Sequence, residues 1–279
     1  MSALSQDVTV LADFLPQGKT APLIEGSLYN RIEGLNMEGE RRSLTFTSNI
    51  LDQAFDLYVY IPPNYHESIS YHLMIAQDGQ DAFRLGKIDR NVEKMILEEA
   101  GPETIVVGVP YPRVSTRRKW YHPDGEETPQ YLQFLTEELL PFLADTFSIR
   151  EDADGRTLFG DSLAGTLALL ACLEHPDVFR RAIMYSPYVN DTLLSKIEKS
   201  KELDTFTVYH TVGADEEEVK GTDGTIMNFL PMHNDLQDRL QENVGNYRSK
   251  TIEEGDHTWF TWEPDIHQAL HFMFVLHGE

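Results

Sequence analysis

Cysteine is nearly absent: Cys172 is the only one in 279 residues. An intrachain disulfide and a zinc cluster built on several thiolates are thereby excluded, and the usage fits a reducing cytoplasm. Basic side chains are also scarce, with 23 Lys and Arg against 46 Asp and Glu and a formal charge of −23. A field of that sign repels nucleic-acid phosphates and anionic lipid surfaces, so neither is expected as a partner. No run reaches the roughly 18 apolar residues of a membrane helix. The opening "MSALSQDVTVLADFLPQG" lacks the basic start and apolar stretch of a secretory signal. The expectation is a cytoplasmic protein; no pattern in the chain speaks to its oligomeric state.

What is present is ample core material, 41% of the chain being hydrophobic, enough to make disorder over most of the length untenable. No internal repeat and no low-complexity linker divides the chain. Residues 1–279 are read as a single domain, since α/β folds reach roughly 250 residues as one unit. Residues 1–40 show no clear period and are treated as an N-terminal extension.

From residue 43 the pattern changes. In "AFDLYVYIPPNY", Phe55, Leu57, Val59 and Ile61 alternate with Asp56, Tyr58 and Tyr60, the period of a half-buried strand. With residues 43–49 it predicts an antiparallel edge pair, closed by Pro62 and Pro63. Short apolar runs bounded by breakers follow at 72–79, 104–110, 156–162, 181–187 and 206–213. Helical patterns lie between them. Residues 128–146 place Tyr131, Leu135, Leu139 and Leu143 on one stripe, with Thr128 as N-cap, Pro129 at the first helical position and a kink at Pro141. Alternating strands and helices of this kind read as a doubly wound α/β fold: a mostly parallel central sheet with helices on both faces.

"TLFGDSLAGT" sets Ser162 where a strand gives way to a helix. A serine on such a sharp turn points its hydroxyl away from the sheet, beside N–H groups at a helix start that favour negative charge. Gly160 and Ala164 supply the small residues the turn needs. The competing account is an ordinary turn with Asp161 or Ser162 capping the helix, and the partners decide between them. A serine nucleophile needs a histidine base oriented by an acid, and on this type of sheet the chain order is Ser, acid, His. His257, after the last strand in a loop with Gly255, completes that order. His175 reads as a helix end, His210 as strand, and His267 with His271 as one face of a C-terminal helix without a third metal ligand. The acid comes from the loop after Gly213: Glu216 is favoured, with Asp215 its main rival. A second oxyanion donor is expected from "AQDGQDAF", where Gly79 leaves the Gln80 N–H to pair with that of Leu163.

These residues resemble the esterase family of the esterase D and enterochelin esterase type, which includes bacillibactin-hydrolysing relatives. The resemblance covers about residues 30–276. It rests on "YVYIPPNY", "AQDGQDAF", "EELLPFL", "LFGDSLAGTLAL", "HPDVFRRAIMYSP" and "GDHTWFTW", in that order. It implies an α/β-hydrolase fold, Ser162 as nucleophile, His257 as base and then acid, an acidic residue at position 216, and an oxyanion hole from the Gln80 and Leu163 N–H groups. Ala164, where Gly is common, and Gln77, where an apolar residue is usual, depart from the pattern without removing a catalytic atom.

Ester hydrolysis through an acyl-enzyme is the leading expectation, with a small-molecule ester as substrate and no metal or organic cofactor. A siderophore trilactone esterase is the alternative within the family, with Arg117, Arg118 and Lys119 as candidate contacts for an anionic catecholate or simply as solvated loop charges. A peptidase and a non-catalytic binding protein on the same fold are further alternatives. Trp120, Tyr121, Trp259 and Trp262 are candidates for the wall of a substrate pocket.

Overall fold

The structure is a computed structural model that describes residues 39–274 except 99, 222 and 223. Residues 1–38 of the expected N-terminal extension lie outside the described residues. Strands β1 (Glu40–Ser48), β2 (Gln53–Ile61) and β3 (His72–Gln77) come first, then helices α1 (Gly79–Arg84) and α2 (Ile88–Leu97). Strand β4 (Thr104–Val109) leads to α3 (Val114–Tyr121) and α4 (Thr128–Gln133), which runs through a π-helical turn (Phe134–Leu139) into α5 (Leu140–Thr146). The alternation continues with β5 (Arg156–Asp161), α6 (Leu163–Glu174), β6 (Arg181–Tyr185), α7 (Asp191–Lys199) and β7 (Thr207–Gly213). A small hairpin, β8 (Val219–Lys220) and β9 (Ile226–Met227), precedes α8 (Phe229–Leu240), β10 (Asn246–Ile252), α9 (Trp259–Trp262) and α10 (Ile266–Phe274).

Eight strands form one sheet in the order β1-β2-β4-β3-β5-β6-β7-β10. The β1–β2 and β2–β4 pairs are antiparallel and all others are parallel. Along β3, Leu73 and Ile75 enter one core while Met74 and Ala76 enter the other. Burial on both faces is why the central strands read as unbroken apolar runs. Helix α6 is buried from Leu163 to Cys172, and an all-apolar circumference is what a helix sandwiched between the sheet and neighbouring helices requires.

Two local expectations need correction. Tyr60 was expected on the outward side of β2 but is fully buried, sharing a core with Ile88 and Val92 of α2. The second face of the sheet is covered at that end, so alternation there no longer separates inside from outside. In residues 128–146 the N-cap is Glu127, with Thr128 as the first helical residue and Pro129 the second. The Thr128 hydroxyl instead donates to the carbonyl oxygens of Lys119 and His122. Near the expected kink at Pro141, the helix widens ahead of the proline, with the Leu140 N–H donating to the Leu135 oxygen. Proline lacks an N–H and its ring crowds the carbonyl four residues back, which a wider turn accommodates. Among the described residues no helix is long and apolar enough to cross a membrane.

Candidate active site

Ser162 occupies the turn between β5 and α6 with φ 51 and ψ −124. A non-glycine residue there is strained and persists only where its surroundings hold it. Its N–H donates to the Tyr185 oxygen at 2.7 Å, and its own carbonyl accepts from the Thr166 N–H and hydroxyl. A side chain at Gly160 would collide with the backbone of Ala164, so position 160 has to be glycine. Ala164, one of the two departures from the family resemblance, is fully buried. The other departure, Gln77, accepts a hydrogen bond from the Tyr131 hydroxyl at 2.6 Å.

The acid and the histidine come from the loops after β7 and β10. Those loops touch through glycine: a Cβ at Gly213 would run into the Gly255 carbonyl. The Ala214 N–H donates to Ile252 and the Asp215 N–H to Gly255, each at 2.9 Å. Glu216 is fully buried, with Oε2 2.6 Å from His257 Nδ1. Its Oε1 accepts from the Ser186 hydroxyl at 2.6 Å and from the Gly213 N–H at 2.7 Å. Trp262 Nε1 in turn donates to Ser186 Oγ at 2.9 Å. A carboxylate only accepts, so the proton of a neutral His257 rests on Nδ1 and Nε2 is left as the acceptor. Phe229 and Trp262 flank the imidazole, with ring centroids 4.4 and 5.0 Å away. Asp215, the rival acid, is exposed.

Ser162, Leu163 and His257 line one cavity of about 730 Å³, within the size range of small-molecule sites. No hydrogen bond joins Ser162 to His257 among the described contacts, and such bonds are often loose without substrate. Leu163 begins α6, and Gln80 is the second residue of α1, positions whose N–H groups have no intrahelical partner. Asp78 and Asp81, on either side of Gln80, line the cavity; Gln80 itself does not. Trp259 and Trp262 line it as well, whereas Trp120 and Tyr121 are core residues of α3. Trp120 donates its Nε1 to Glu127.

Of the other histidines considered, His175 is the C-cap residue of α6, and His210 is buried in β7, where burial holds its imidazole well below the usual range. His267 pairs with Glu98. Among the described residues no three His, Cys, Asp or Glu converge as a metal-binding group.

Reading the sequence did not find the polar cluster beside Ser162. Arg117 reaches in from α3, its Nε donating to Asp78 Oδ2 at 2.6 Å and its Nη2 to the Asp161 carbonyl at 3.2 Å. Its Nη2 stands 3.9 Å from Asp161 Oδ2. One cation thus serves two buried carboxyls. Burial, then the Asp78 charge, push Asp161 up to about 7, with Arg117 opposing. The folded chain therefore keeps a proton that the unfolded chain, titrating near about 3.9, gives up. The stability this proton contributes is complete below about pH 4 and is lost as the pH climbs through about 7. Asp161→Asn removes that titration, so its melting temperature relative to the unsubstituted protein is expected to rise from about pH 4 to about pH 8. Thermal denaturation of both proteins at the two pH values checks this.

A family model described as "Putative esterase" matches residues 48–273. The YjcH protein of Bacillus subtilis (strain 168) is 39% identical over 228 residues, which are 82% of this chain and 95% of that protein. Among solved structures, a ferulic acid esterase superposes with a TM-score of 0.70 at 15% identity, covering 86% of this chain and 98% of the other. The enterobactin esterase FES from Shigella flexneri, in the presence of enterobactin, also gives 0.70 at 15% identity, covering 84% and 58%. At such identities these two structures speak to the fold.

Proposed function

The chain belongs to the esterase family whose model spans residues 48–273 and is an ester-hydrolysing enzyme, and from that premise we propose a serine carboxylesterase acting through Ser162, His257 and Glu216. The observation that carries the proposal is the fully buried Glu216 carboxylate 2.6 Å from His257 Nδ1, on a ring that shares its cavity with Ser162. A buried acid saturated by donors and aimed at one ring nitrogen is what sets the tautomer of a general base.

In this mechanism His257 Nε2 takes the Ser162 proton as Oγ attacks the ester carbonyl. The resulting oxyanion rests on the Leu163 and Gln80 N–H groups, and the tetrahedral intermediate collapses as His257 returns the proton to the departing alcohol. Water, activated by the same imidazole, then frees the acid from the acyl-enzyme. Removing one such donor typically costs on the order of 3 kcal/mol of barrier.

The lining of the cavity bears on the substrate. Three of its basic residues are already paired, Arg84 with Asp81, Lys87 with Glu263 and Arg117 with Asp78. A neutral small-molecule ester is therefore the first reading, its acyl or alcohol group lying against Trp259 and Phe260. Lys220, which is exposed, also lines the cavity and favours a second reading, a siderophore trilactone, an enterobactin esterase being among the structures that superpose.

A fluorophosphonate probe is expected to label the protein at Ser162 and to leave Ser162→Ala unlabelled, as read by mass spectrometry. Labelling that persists in the variant would remove the proposed nucleophile. Turnover of short acyl esters, feruloyl esters, matched amides and ferric triscatecholate lactones by one preparation then ranks the substrate classes.

A further inference from the structure

Strands β3 and β5 run side by side in parallel, and their ladder ends with Ala76 opposite Phe159. Two residues further on stand Asp78, just past the end of β3, and Asp161, the last residue of β5. Two residues beyond those stand Gln80 and Leu163, the sources of the proposed oxyanion donors. Both turns leave regular backbone between these points, Asp78 with φ 52 and Ser162 with φ 51. The ladder between these two strands does not reach the turns, so a side chain that bridges them bears directly on the separation of the two donors.

Arg117 bridges the two turns. Its side chain is 12% exposed and grips Asp78 through the carboxylate and Asp161 through the main-chain oxygen. A guanidinium is a planar fork that holds two acceptors at a fixed spacing, which a lysine ammonium does not. The rings of Tyr111 and Tyr121 lie 5.9 and 5.7 Å from its central carbon, limiting how far the fork can tilt. Burial works against the guanidinium's charge, but Asp78 and then Asp161 more than offset it, and its pKa lies above the ordinary value.

Resting on the esterase reading above, we infer that Arg117 is a positioning residue that ties the two turns together so that the Gln80 and Leu163 N–H groups converge on one oxygen. It touches no reacting atom. Its effect belongs to the transition state, where charge develops on that oxygen, and not to binding of the neutral ester.

The test is the double variant D78N/R117M, which removes the tie together with the Asp78 charge and leaves Asp161 as a buried carboxyl that burial already pushes toward its neutral form. Turnover is measured per serine titrated with a fluorophosphonate, so that unfolded protein does not enter the rate. The expected result is a fall in kcat of about 100-fold, the scale of a misplacement of about 1 Å, with KM changed by less than about 3-fold. R117K, which restores charge without the fork, is expected to stay at least about 10-fold below the unsubstituted enzyme. Should the double variant keep its kcat per titrated serine while losing only thermal stability, or R117K recover fully, the positioning role is overturned. Ser162→Ala, assayed alongside, separates the two levels: an active S162A overturns the esterase site itself, whereas an inactive S162A beside a fully active double variant overturns only the role of Arg117.

Discussion

Ser162→Ala is expected to lower kcat for a small chromogenic ester by about 10,000-fold or more while leaving the fold in place, the scale seen when a catalytic serine is removed from a serine hydrolase. The hydroxyl makes no hydrogen bond among the described contacts, and the turn is held through the main chain, by the Ser162 N–H to Tyr185 and the Ser162 carbonyl to Thr166. Alanine preserves those bonds and bears the same φ. Stability should therefore change by no more than about 0.5 kcal/mol. What activity remains would come from the Leu163 and Gln80 amides acting on a water-attacked ester. Steady-state kinetics with thermal denaturation checks both halves, and undiminished turnover in a folded variant would mean that the nucleophile lies elsewhere.

Glu216→Gln carries the second large effect, about 10,000-fold in kcat, because it sets the wrong tautomer. The carboxylate accepts on both oxygens, from Ser186 and Gly213 on one and from His257 on the other. An amide has only one acceptor oxygen. With that oxygen kept toward Ser186 and Gly213, the NH2 faces Nδ1 and drives the ring proton to Nε2, where it blocks uptake of the serine proton. With the amide reversed, the Gly213 N–H meets another donor in a fully buried site, at a cost of about 1 to 3 kcal/mol. Asp215→Asn, one residue away and exposed, should leave kcat within about 3-fold, since exposed charges perturb a site weakly. Comparing the two variants identifies the acid, and equal losses in both would count against Glu216.

Which parts of this were legible in the chain depends on how local their causes are. The Ser162 turn is written in six consecutive residues because strand, tight turn and helix start are neighbours in sequence. The sheet was legible too, since burial on both faces leaves uninterrupted apolar runs. Glu216 could only be preferred over Asp215, because what brings Glu216 to His257 is the contact of Gly213 with Gly255, residues far apart in the chain, separated by a hairpin, a helix and a strand. Of the residues that complete the surroundings of Glu216, Ser186 was visible only as part of a longer motif, and Trp262 was read as a candidate pocket wall rather than as the donor to Ser186. Arg117 was read as one of three charges on a loop; that it belongs to a helix and turns inward depends on partners, Asp78 and Asp161, about 40 residues away on either side. Tyr60 and the π-helical turn before Pro141 have the same origin: an element packed from elsewhere, or a backbone constraint propagating backward, overrode a sound local pattern.

The abutment of Gly213 and Gly255 has a mechanical consequence. With Ala214 and Asp215 bonded across to Ile252 and Gly255, the two loops form a single joint, and a displacement of one is expected to carry the other. Loosening either loop would then release the Glu216 carboxylate and the His257 imidazole in one event.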